Sequence, residues 1–179
     1  MKIKILKEKI IASLEDQGFY VNGHLSPLLS DKNSFKAIHD NSRVEQIQLS
    51  KNFIEKNFAV VQKYVAKKIN PANITLELRE VKVGTIEETI YRWWNLTWWS
   101  VPYQKAYGRQ MRFLIWDTAH DAPFGLIGLQ SPILKMAVRD KFLEIPKAEL
   151  DYVINKSMQA QRLGALPGYY AEFGQIVTA

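Results

Sequence analysis

The sequence contains no cysteine among its 179 residues, which excludes disulfide frameworks, thiolate zinc sites and cysteine nucleophiles. It has only three histidines, so a histidine-built metal centre is not expected. No apolar run approaches the roughly 20 residues that span a bilayer. Charged Lys7, Glu8 and Lys9 interrupt the amino-terminal apolar residues, unlike the core of a signal peptide. We therefore expect a cytoplasmic protein that has no membrane partner.

The overall composition is that of a folded protein, but the charge is unevenly distributed. Hydrophobic residues make up 47% of the chain and charged residues 23%, and the net charge is +6. Residues 1–70 hold 12 Lys or Arg against 7 Asp or Glu, whereas residues 71–179 hold 12 against 11. The positive excess of the first part indicates an anionic partner, such as nucleic acid.

The first 70 residues are predicted to be helical. Apolar residues spaced three and four apart predict an amphipathic helix over residues 2–17. A short helix is expected at 31–38. Ser42 and Glu45 form a capping-box pattern that predicts the start of a long helix, which Asn70-Pro71 ends. The buried face of this long helix is predicted at Ile47, Ile54, Phe58, Val61 and Val65.

Beyond residue 70 the apolar period changes to two, which is typical of strands. The pattern predicts a bulged strand over 74–83, a helix over 87–94 and a hairpin of strands 111–117 and 124–130. Helices are expected at 133–143 and 150–158, and a strand at 160–166. The fold class is therefore α+β, with a basic helical region, 1–70, before a small, mainly antiparallel sheet with helices, 71–179. Because the chain ends within an apolar segment, 173–179, we expect this second domain to be truncated.

The segment Thr89–Arg112 combines seven aromatic residues with four cations and contains no acidic residue. Four of the five tryptophans lie within it. Bases of single-stranded nucleic acid stack on aromatic rings while Arg and Lys contact phosphates, so the segment has the composition of a binding surface. Tryptophan is also highly buried on average. Burial in the core remains the alternative for these rings.

Gly108 and two arginines form a second candidate feature at the end of this segment. A glycine before a strand lets the backbone approach a partner closely. Arg109 and Arg112 beside it have the fork geometry that holds a phosphate or a carboxylate. The alternative is an internal ion pair, for example of these arginines with Asp117, Asp140 or Glu144.

Several ordered motifs resemble a known family. They are Trp99-Ser-Val-Pro102, the stretch Tyr107-Gly-Arg-Gln-Met-Arg-Phe-Leu-Ile-Trp-Asp117, Gly125-Leu-Ile-Gly-Leu-Gln-Ser-Pro132 with Ala137-Val-Arg-Asp140, and Leu163-Gly-Ala-Leu-Pro-Gly-Tyr169 with Gly174. This pattern, over residues 75–179, is similar to DruA-like proteins of the bacterial Druantia anti-phage defence systems. The resemblance implies a role in phage defence, and it implies no particular reaction.

The order of elements is also similar to GNAT acyltransferases, in which backbone amides at a glycine-containing loop hold coenzyme A. Only Gly174 fits the loop pattern [Q/R]-x-x-G-x-[G/A] here, and the outer positions, Ala171 and Ile176, depart from it. Asp117, His120 and Asp121 are metal-ligand types, but they are also common turn residues, and we favour the turn. No P-loop, G-x-S-x-G or HExxH motif is present.

These observations lead to one main hypothesis and two alternatives. The main hypothesis is a defence-system component that binds DNA or RNA, without a cofactor. The alternatives are a GNAT-like domain that uses acyl-CoA, with Gly174 at its cofactor loop, and a non-enzymatic module that assembles with other defence proteins. The candidate nucleic-acid contacts are Lys63, Lys67, Lys68, Arg92, Trp98, Lys105, Arg109 and Arg112.

Overall fold

A computed structural model describes residues 2–16, 19–21, 25–27, 32–98 and 108–169. The chain divides into two compact units, Met1–Glu55 with Asn95–Tyr103, and Lys56–Trp94 with Gln104–Ala179. Two helices, Lys51–Val61 and Ile86–Thr97, have residues in both units. The division predicted near residue 70 rests on composition and charge and stays a prediction about domains.

The first unit is mainly helical. Helix α1 spans Lys2–Asp16, a short antiparallel pair is formed by β1 (Phe19–Val21) and β2 (Leu25–Pro27), and α2 spans Lys32–Leu49. Within this unit the buried Gln46 donates from Nε2 to the carbonyls of Asn95, at 3.3 Å, and Leu96, at 3.0 Å. These carbonyls lie near the carboxyl end of a helix, where backbone acceptors lack intrahelical partners.

The prediction of one long helix from Ser42 to Ile69 is wrong about where the helix starts, whether it is continuous and where it ends. Ser42 and Glu45 lie inside α2, where the backbone N–H groups already have hydrogen-bond acceptors in the preceding turn. The capping pattern therefore does not mark the start of a helix. The helix is interrupted at Ser50, and α3 then spans Lys51–Val61, followed by a 3-10 turn at Gln62–Tyr64. Val65 is extended, and Ala66 and Ile69 pack against a buried cluster. This tertiary packing outweighs the local preference for helix.

The second unit is built on a four-stranded antiparallel sheet of order β3-β4-β5-β6. Strand β3 spans Leu76–Glu80, and α4, Ile86–Thr97, follows it. Strands β4, Gln110–Asp117, and β5, Ala122–Gln130, form the predicted hairpin, which is confirmed. Helices α5, Ala137–Phe142, and α6, Leu150–Lys156, lead to β6, Gln159–Ala165. The α+β class is thus confirmed.

The irregularities of the sheet differ from the prediction. The expected bulge in the first strand is absent over Leu76–Glu80, and the register instead shifts near Ile115 and Trp116, and again near Gly128 and Leu129. The first shift leaves Phe124 without a partner on β4. Its fully buried ring then packs against Tyr169, with the centroids 4.7 Å apart. The bulge therefore supplies a core side chain to the end of the sheet.

Gly128 allows α4 to lie close to the sheet. It pairs with Arg112 on one side and Arg162 on the other. A Cβ at this position would lie 2.5 Å from the Tyr91 hydroxyl of α4 and 3.2 Å from the Arg162 Cβ. Tyr91 is itself buried, so its ring has little room to move away. The side chain of any other residue at position 128 would therefore crowd the helix–sheet contact.

We expect Gly128→Ala to lower the free energy of unfolding by about 1–3 kcal/mol, the usual cost of overpacking. Tyr91→Phe removes the nearest atom, so the cost of the alanine should be smaller in that background. Urea unfolding of the four proteins in this double-mutant cycle measures the coupling. An equal cost in both backgrounds would show that contact with the Tyr91 hydroxyl is not what makes Gly128→Ala destabilising.

Candidate nucleic-acid interface

Two arginines lie at the start of β4, where the sequence predicted a contact to an anion. Arg109 directly precedes the strand and is exposed, and Arg112 is half-buried within it. Gly108 has a φ of 79°, and a Cβ there would lie 2.8 Å from the Ser131 Oγ. The close approach predicted for this glycine is made to Ser131, whose hydroxyl accepts from the Arg109 backbone N–H at 3.0 Å. The backbone that carries Arg109 is therefore held in place.

Neutral oxygens hold both guanidinium groups. Arg109 Nη2 donates to the Ser157 carbonyl at 3.1 Å, and Arg112 Nη2 donates to Gln110 Oε1 at 2.8 Å. Within the described ranges, neither arginine contacts a carboxylate, so the ion pairs considered for them are not formed there.

Three other arginines of the chain differ in this respect, because each lies against a carboxylate. These pairs are Arg43–Asp40 at 2.8 Å, Arg79–Glu77 at 3.0 Å and Arg139–Asp140 at 2.6 Å. An ion pair satisfies the charge of an arginine before any ligand arrives, whereas a carbonyl or an amide oxygen leaves that charge uncompensated. Arg109 and Arg112 are therefore better placed than these three to receive an anion.

The three predicted lysines lie toward the opposite end of β4. Lys63, Lys67 and Lys68 are exposed, and only Lys63 is in a helical turn. The ring of Tyr64, between them in sequence, lies edge-on to Trp116 with the centroids 5.5 Å apart. At about 3.3 Å per strand residue, Trp116 lies about 13 Å along β4 from Arg112 and about 23 Å from Arg109. The arginines and the lysines thus form two separate basic positions, one near each end of β4.

Aromatic side chains of the second unit form a half-buried cluster. The ring centroid of Trp93 lies 5.0 Å from that of Trp94 and 6.2 Å from that of Phe58. Phe58 was predicted to be buried, yet half of it is exposed. The Trp94 indole nitrogen is buried with no hydrogen-bond partner in the described part of the chain. Arg92, on the same helix, is exposed.

The remaining predicted residues are not part of the described surface of the second unit. Trp98 is half-buried, follows α4 and belongs to the first unit. Trp99, Lys105 and Gly174 lie outside the described residues. The predicted contacts among the described residues of the second unit are therefore Lys63, Lys67, Lys68, Arg92, Arg109 and Arg112.

Arg79 of β3 was not among the predicted contacts. Its guanidinium carbon lies 4.5 Å from the centroid of the Trp116 ring, a cation–π contact. Arg79 pairs with Leu114, two residues from Arg112, so Arg79 and Arg112 share one face of the sheet. The polar positions Glu77 and Arg79, which alternate with the leucines of β3, were the available signal. The partner ring could not be identified before the strand register was known.

The predicted turn residues form a buried polar network around Asp117, which is fully buried. Its Oδ1 accepts from the backbone N–H groups of Thr75 and Ala119, each at 3.1 Å. Its Oδ2 lies 2.6 Å from His120 Nδ1 and accepts from the Tyr169 hydroxyl at 3.0 Å. Four donors from three separate parts of the chain therefore meet on one carboxylate.

These contacts also define the state of the histidine ring. His120 Nε2 accepts from the Asn70 backbone N–H at 3.0 Å, so Nδ1 carries the proton that is donated to Asp117. Asp121 is engaged elsewhere, because its Oδ1 accepts from the Trp116 indole at 3.2 Å. In the parts of the chain that the structure describes, no group of three or more acidic or histidine side chains could hold a metal ion.

Burial and hydrogen bonding shift the pKa values of this network. Burial acts to raise the pKa of Asp117, but the hydrogen bonds from Thr75, His120, Tyr169 and Ala119 outweigh it, and the pKa lies below its usual value. Burial raises the pKa of the Tyr169 hydroxyl well above its usual value, and the hydrogen bond to the Asp117 carboxylate raises it further. The network therefore holds a carboxylate and a neutral phenol.

We expect Tyr169→Phe to lower the free energy of unfolding by about 1.5–3 kcal/mol at neutral pH, the range for a hydrogen bond to a charged group. Because the folded pKa is raised, this contribution is fully present below about pH 10 and is lost as the pH rises above it. The difference between the two proteins should therefore narrow above pH 10. Urea unfolding at several pH values tests this, with Tyr152→Phe as an exposed control. A constant difference up to pH 11 would contradict the assignment.

The elements described above are α+β in class, with a four-stranded antiparallel sheet in the second unit. Within the described ranges, every helix is too short or too polar to cross a bilayer. A family model described as Druantia protein DruA matches residues 30–177. Druantia protein DruA of Escherichia coli (strain UMEA 4076-1) is 33% identical over an alignment of 173 residues that covers 94% of this chain. The chain belongs to the DruA family of the Druantia anti-phage defence systems.

The comparisons also set the extent of the similarity. The family match begins at residue 30, well before the motifs over residues 75–179 that carried the resemblance. The chain spans 43% of the length of the Escherichia coli relative. No solved structure matches it.

Proposed function

We propose that this member of the DruA family binds nucleic acid through phosphate contacts along β4. The observation that carries the proposal is the state of Arg109 and Arg112, which neutral oxygens orient and no described carboxylate neutralises. Phosphate oxygens accept forked hydrogen bonds from guanidinium groups, so a phosphodiester would supply the missing counter-charge. The net charge of +6 favours the same partner.

The separation of the two basic positions suits an extended ligand. Arg109 and the level of Trp116 lie about 23 Å apart along the strand, which is about seven steps of 3.4 Å on one strand of duplex DNA. Exposed Lys63, Lys67 and Lys68 lie near the Trp116 end. A small anion would contact one of these positions, whereas a nucleic-acid backbone would contact both.

The half-buried rings of Phe58 and Trp93 offer a surface on which bases of a single strand would stack. Each stacked base contributes about 1–3 kcal/mol. Stacking would therefore make a single strand bind more tightly than a duplex of the same length. It would also change the tryptophan fluorescence.

A fluorescence-anisotropy titration with labelled single- and double-stranded DNA and RNA, from about 50 to 200 mM salt, tests the proposal. We expect binding at 50 mM salt that weakens steeply as salt increases. Quenching of tryptophan emission on binding would support stacking, and its absence would leave the phosphate contacts alone. If no nucleic acid binds at 50 mM salt, the proposal is wrong.

The second candidate is a GNAT-like domain that binds an acyl-coenzyme A. The observation in its favour is topological, because four consecutive antiparallel strands, with a helix between the first two, occur in the order expected for that fold. Its cofactor loop would include Gly174. Acetyl-coenzyme A should then raise the melting temperature by mass action. No shift at high ligand concentration would count against this candidate.

A further inference from the structure

The connection between β5 and β6 exposes an unusual number of apolar side chains. Sequence analysis predicted a helix over 133–143, but α5 is limited to Ala137–Phe142 and buries none of its residues. The docking patch, as we call it, consists of Ile133 (58% exposed), Leu134 (66%), Met136 (45%), Val138 (79%), Phe142 (83%) and Leu143 (55%). Exposed apolar residues that cluster in this way mark interaction sites more often than isolated ones do.

The docking patch is held in a defined conformation. The Arg139 guanidinium donates to Asp140 Oδ1, at 2.8 and 2.6 Å, and to the Ile133 carbonyl at 2.6 Å. Asp140 Oδ2 in turn accepts from the Met136 backbone N–H at 3.2 Å, and the Asp140 carbonyl accepts from Ile145 at 3.0 Å. These bonds tie the start of the connection to its helix. A surface that is ordered before binding loses less conformational entropy on association.

The geometry of α5 concentrates the apolar surface. Val138 and Phe142 are four residues apart, so they lie on the same face of the helix, and they are the most exposed members of the patch. Arg139, in the same turn, is directed away from solvent and is only 17% exposed. The helix thus presents apolar side chains outward and uses its arginine internally. An ordinary surface helix has the reverse arrangement, with charged side chains exposed and apolar side chains buried.

The exposed charges within the docking patch itself are positive. Arg139 and Asp140 neutralise one another. The exposed ionic side chains within residues 133–143 are then Lys135 and Lys141, whereas the rest of the connection to β6 is nearly balanced, with Glu144, Lys147, Glu149, Asp151 and Lys156. Interfaces commonly surround an apolar centre with charges that are complementary to those of the partner. A partner of this patch would therefore present carboxylates around an apolar groove.

We propose that the docking patch binds another protein of the same defence system, one that has an apolar groove edged by Asp and Glu side chains. A second copy of this chain suits the patch less well, because a two-fold interface would place Lys135 and Lys141 of one copy near those of the other. This surface is distinct from Arg109 and Arg112, and it does not depend on nucleic-acid binding.

Biolayer interferometry of the whole chain against each of the other purified proteins of its defence system tests the proposal. We expect one of them to bind, and Val138→Ser with Phe142→Ser to weaken that binding at least tenfold. Lys135→Glu with Lys141→Glu should weaken it too, with a larger effect at low salt. Val83→Ser is the matched control, because Val83 is 90% exposed outside the patch. Circular dichroism and thermal denaturation of each variant would show that the fold is retained.

The proposal is overturned if none of these proteins binds, or if the serine variant binds as tightly as the unchanged protein. It is also overturned if the serine substitutions abolish a concentration-dependent dimer in sedimentation, which would identify a second copy as the occupant. If the serine variant still binds the partner protein but no longer binds phosphatidylserine vesicles, the patch binds a lipid surface instead. Anisotropy with nucleic acid should be unchanged in the serine variant, so failure of this proposal and failure of nucleic-acid binding are distinguishable.

Discussion

Replacing Asp117 with alanine is expected to lower the free energy of unfolding by about 3–5 kcal/mol. The carboxylate is fully buried and accepts four hydrogen bonds, so its removal leaves four donors without their acceptor. At about 2–4 °C per kcal/mol for a protein of this size, the melting temperature should fall by about 6–20 °C. Thermal and urea denaturation measure both quantities.

The dependence on pH identifies the charged form of Asp117 as the stabilising one. Because its pKa is lowered in the folded protein, its contribution is present above about pH 4 and is lost as the pH falls below that value. Asp117→Asn retains the shape but presents an amide N–H₂ to donors. It should therefore be less stable at neutral pH and should lose less further stability in acid. An asparagine variant with the full acid sensitivity of the unchanged protein would contradict this assignment.

Replacing both Arg109 and Arg112 with alanine is expected to weaken nucleic-acid binding by about 10- to 100-fold at 100 mM salt. Two lost phosphate contacts should also reduce the slope of log affinity against log salt by about 1.4 for a single strand or 1.8 for a duplex. The fold should be retained, because these side chains donate only to the Ser157 carbonyl and to Gln110 within the described residues. The same anisotropy titration at several salt concentrations measures both effects.

A control of equal charge makes this result specific. Lys9→Ala with Lys147→Ala removes two exposed positive charges from other parts of the chain. It should reduce affinity much less than the arginine variant if the contacts are local. Equal losses in the two variants would indicate attraction by net charge alone, and unchanged affinity in the arginine variant would remove the site assignment.

The hairpin of β4 and β5 and helix α4 were predictable because local signals and tertiary packing favour the same structure there. Alternating apolar residues flank a turn that contains Asp121 with a φ of 47°, and strong periodicity marks both strands. At Ser42 and at Ala66–Ile69 the local signals and the packing differ. At Ser42 the local pattern marked a helix start within α2, and at Ala66–Ile69 it favoured helix, whereas these residues are not helical and Ala66 and Ile69 pack against a buried cluster.

The candidate interface was predictable in composition but not in geometry. Residue types and their order selected Arg109, Arg112 and the lysines as candidates, because the charge of a side chain can be read from the sequence alone. Three features depend instead on the folded arrangement of the chain. They are the lack of a described carboxylate next to Arg109 and Arg112, the ion pair of Arg79 with Glu77, and the exposure of Val138 and Phe142. No pattern of neighbouring residues encodes that arrangement.

The sequence by itself determined the fold class, the family and the sign of the charge, because periodicity, ordered motifs and ionisable side chains are local properties. Only the tertiary structure decided which charges are neutralised, since a salt bridge needs two groups within about 4 Å. It also converted a turn carboxylate, Asp117, into the centre of a buried network that joins Thr75, His120 and Tyr169. Burial gives that network its energetic weight, because hydrogen bonds and unpaired donors both matter more where water is excluded.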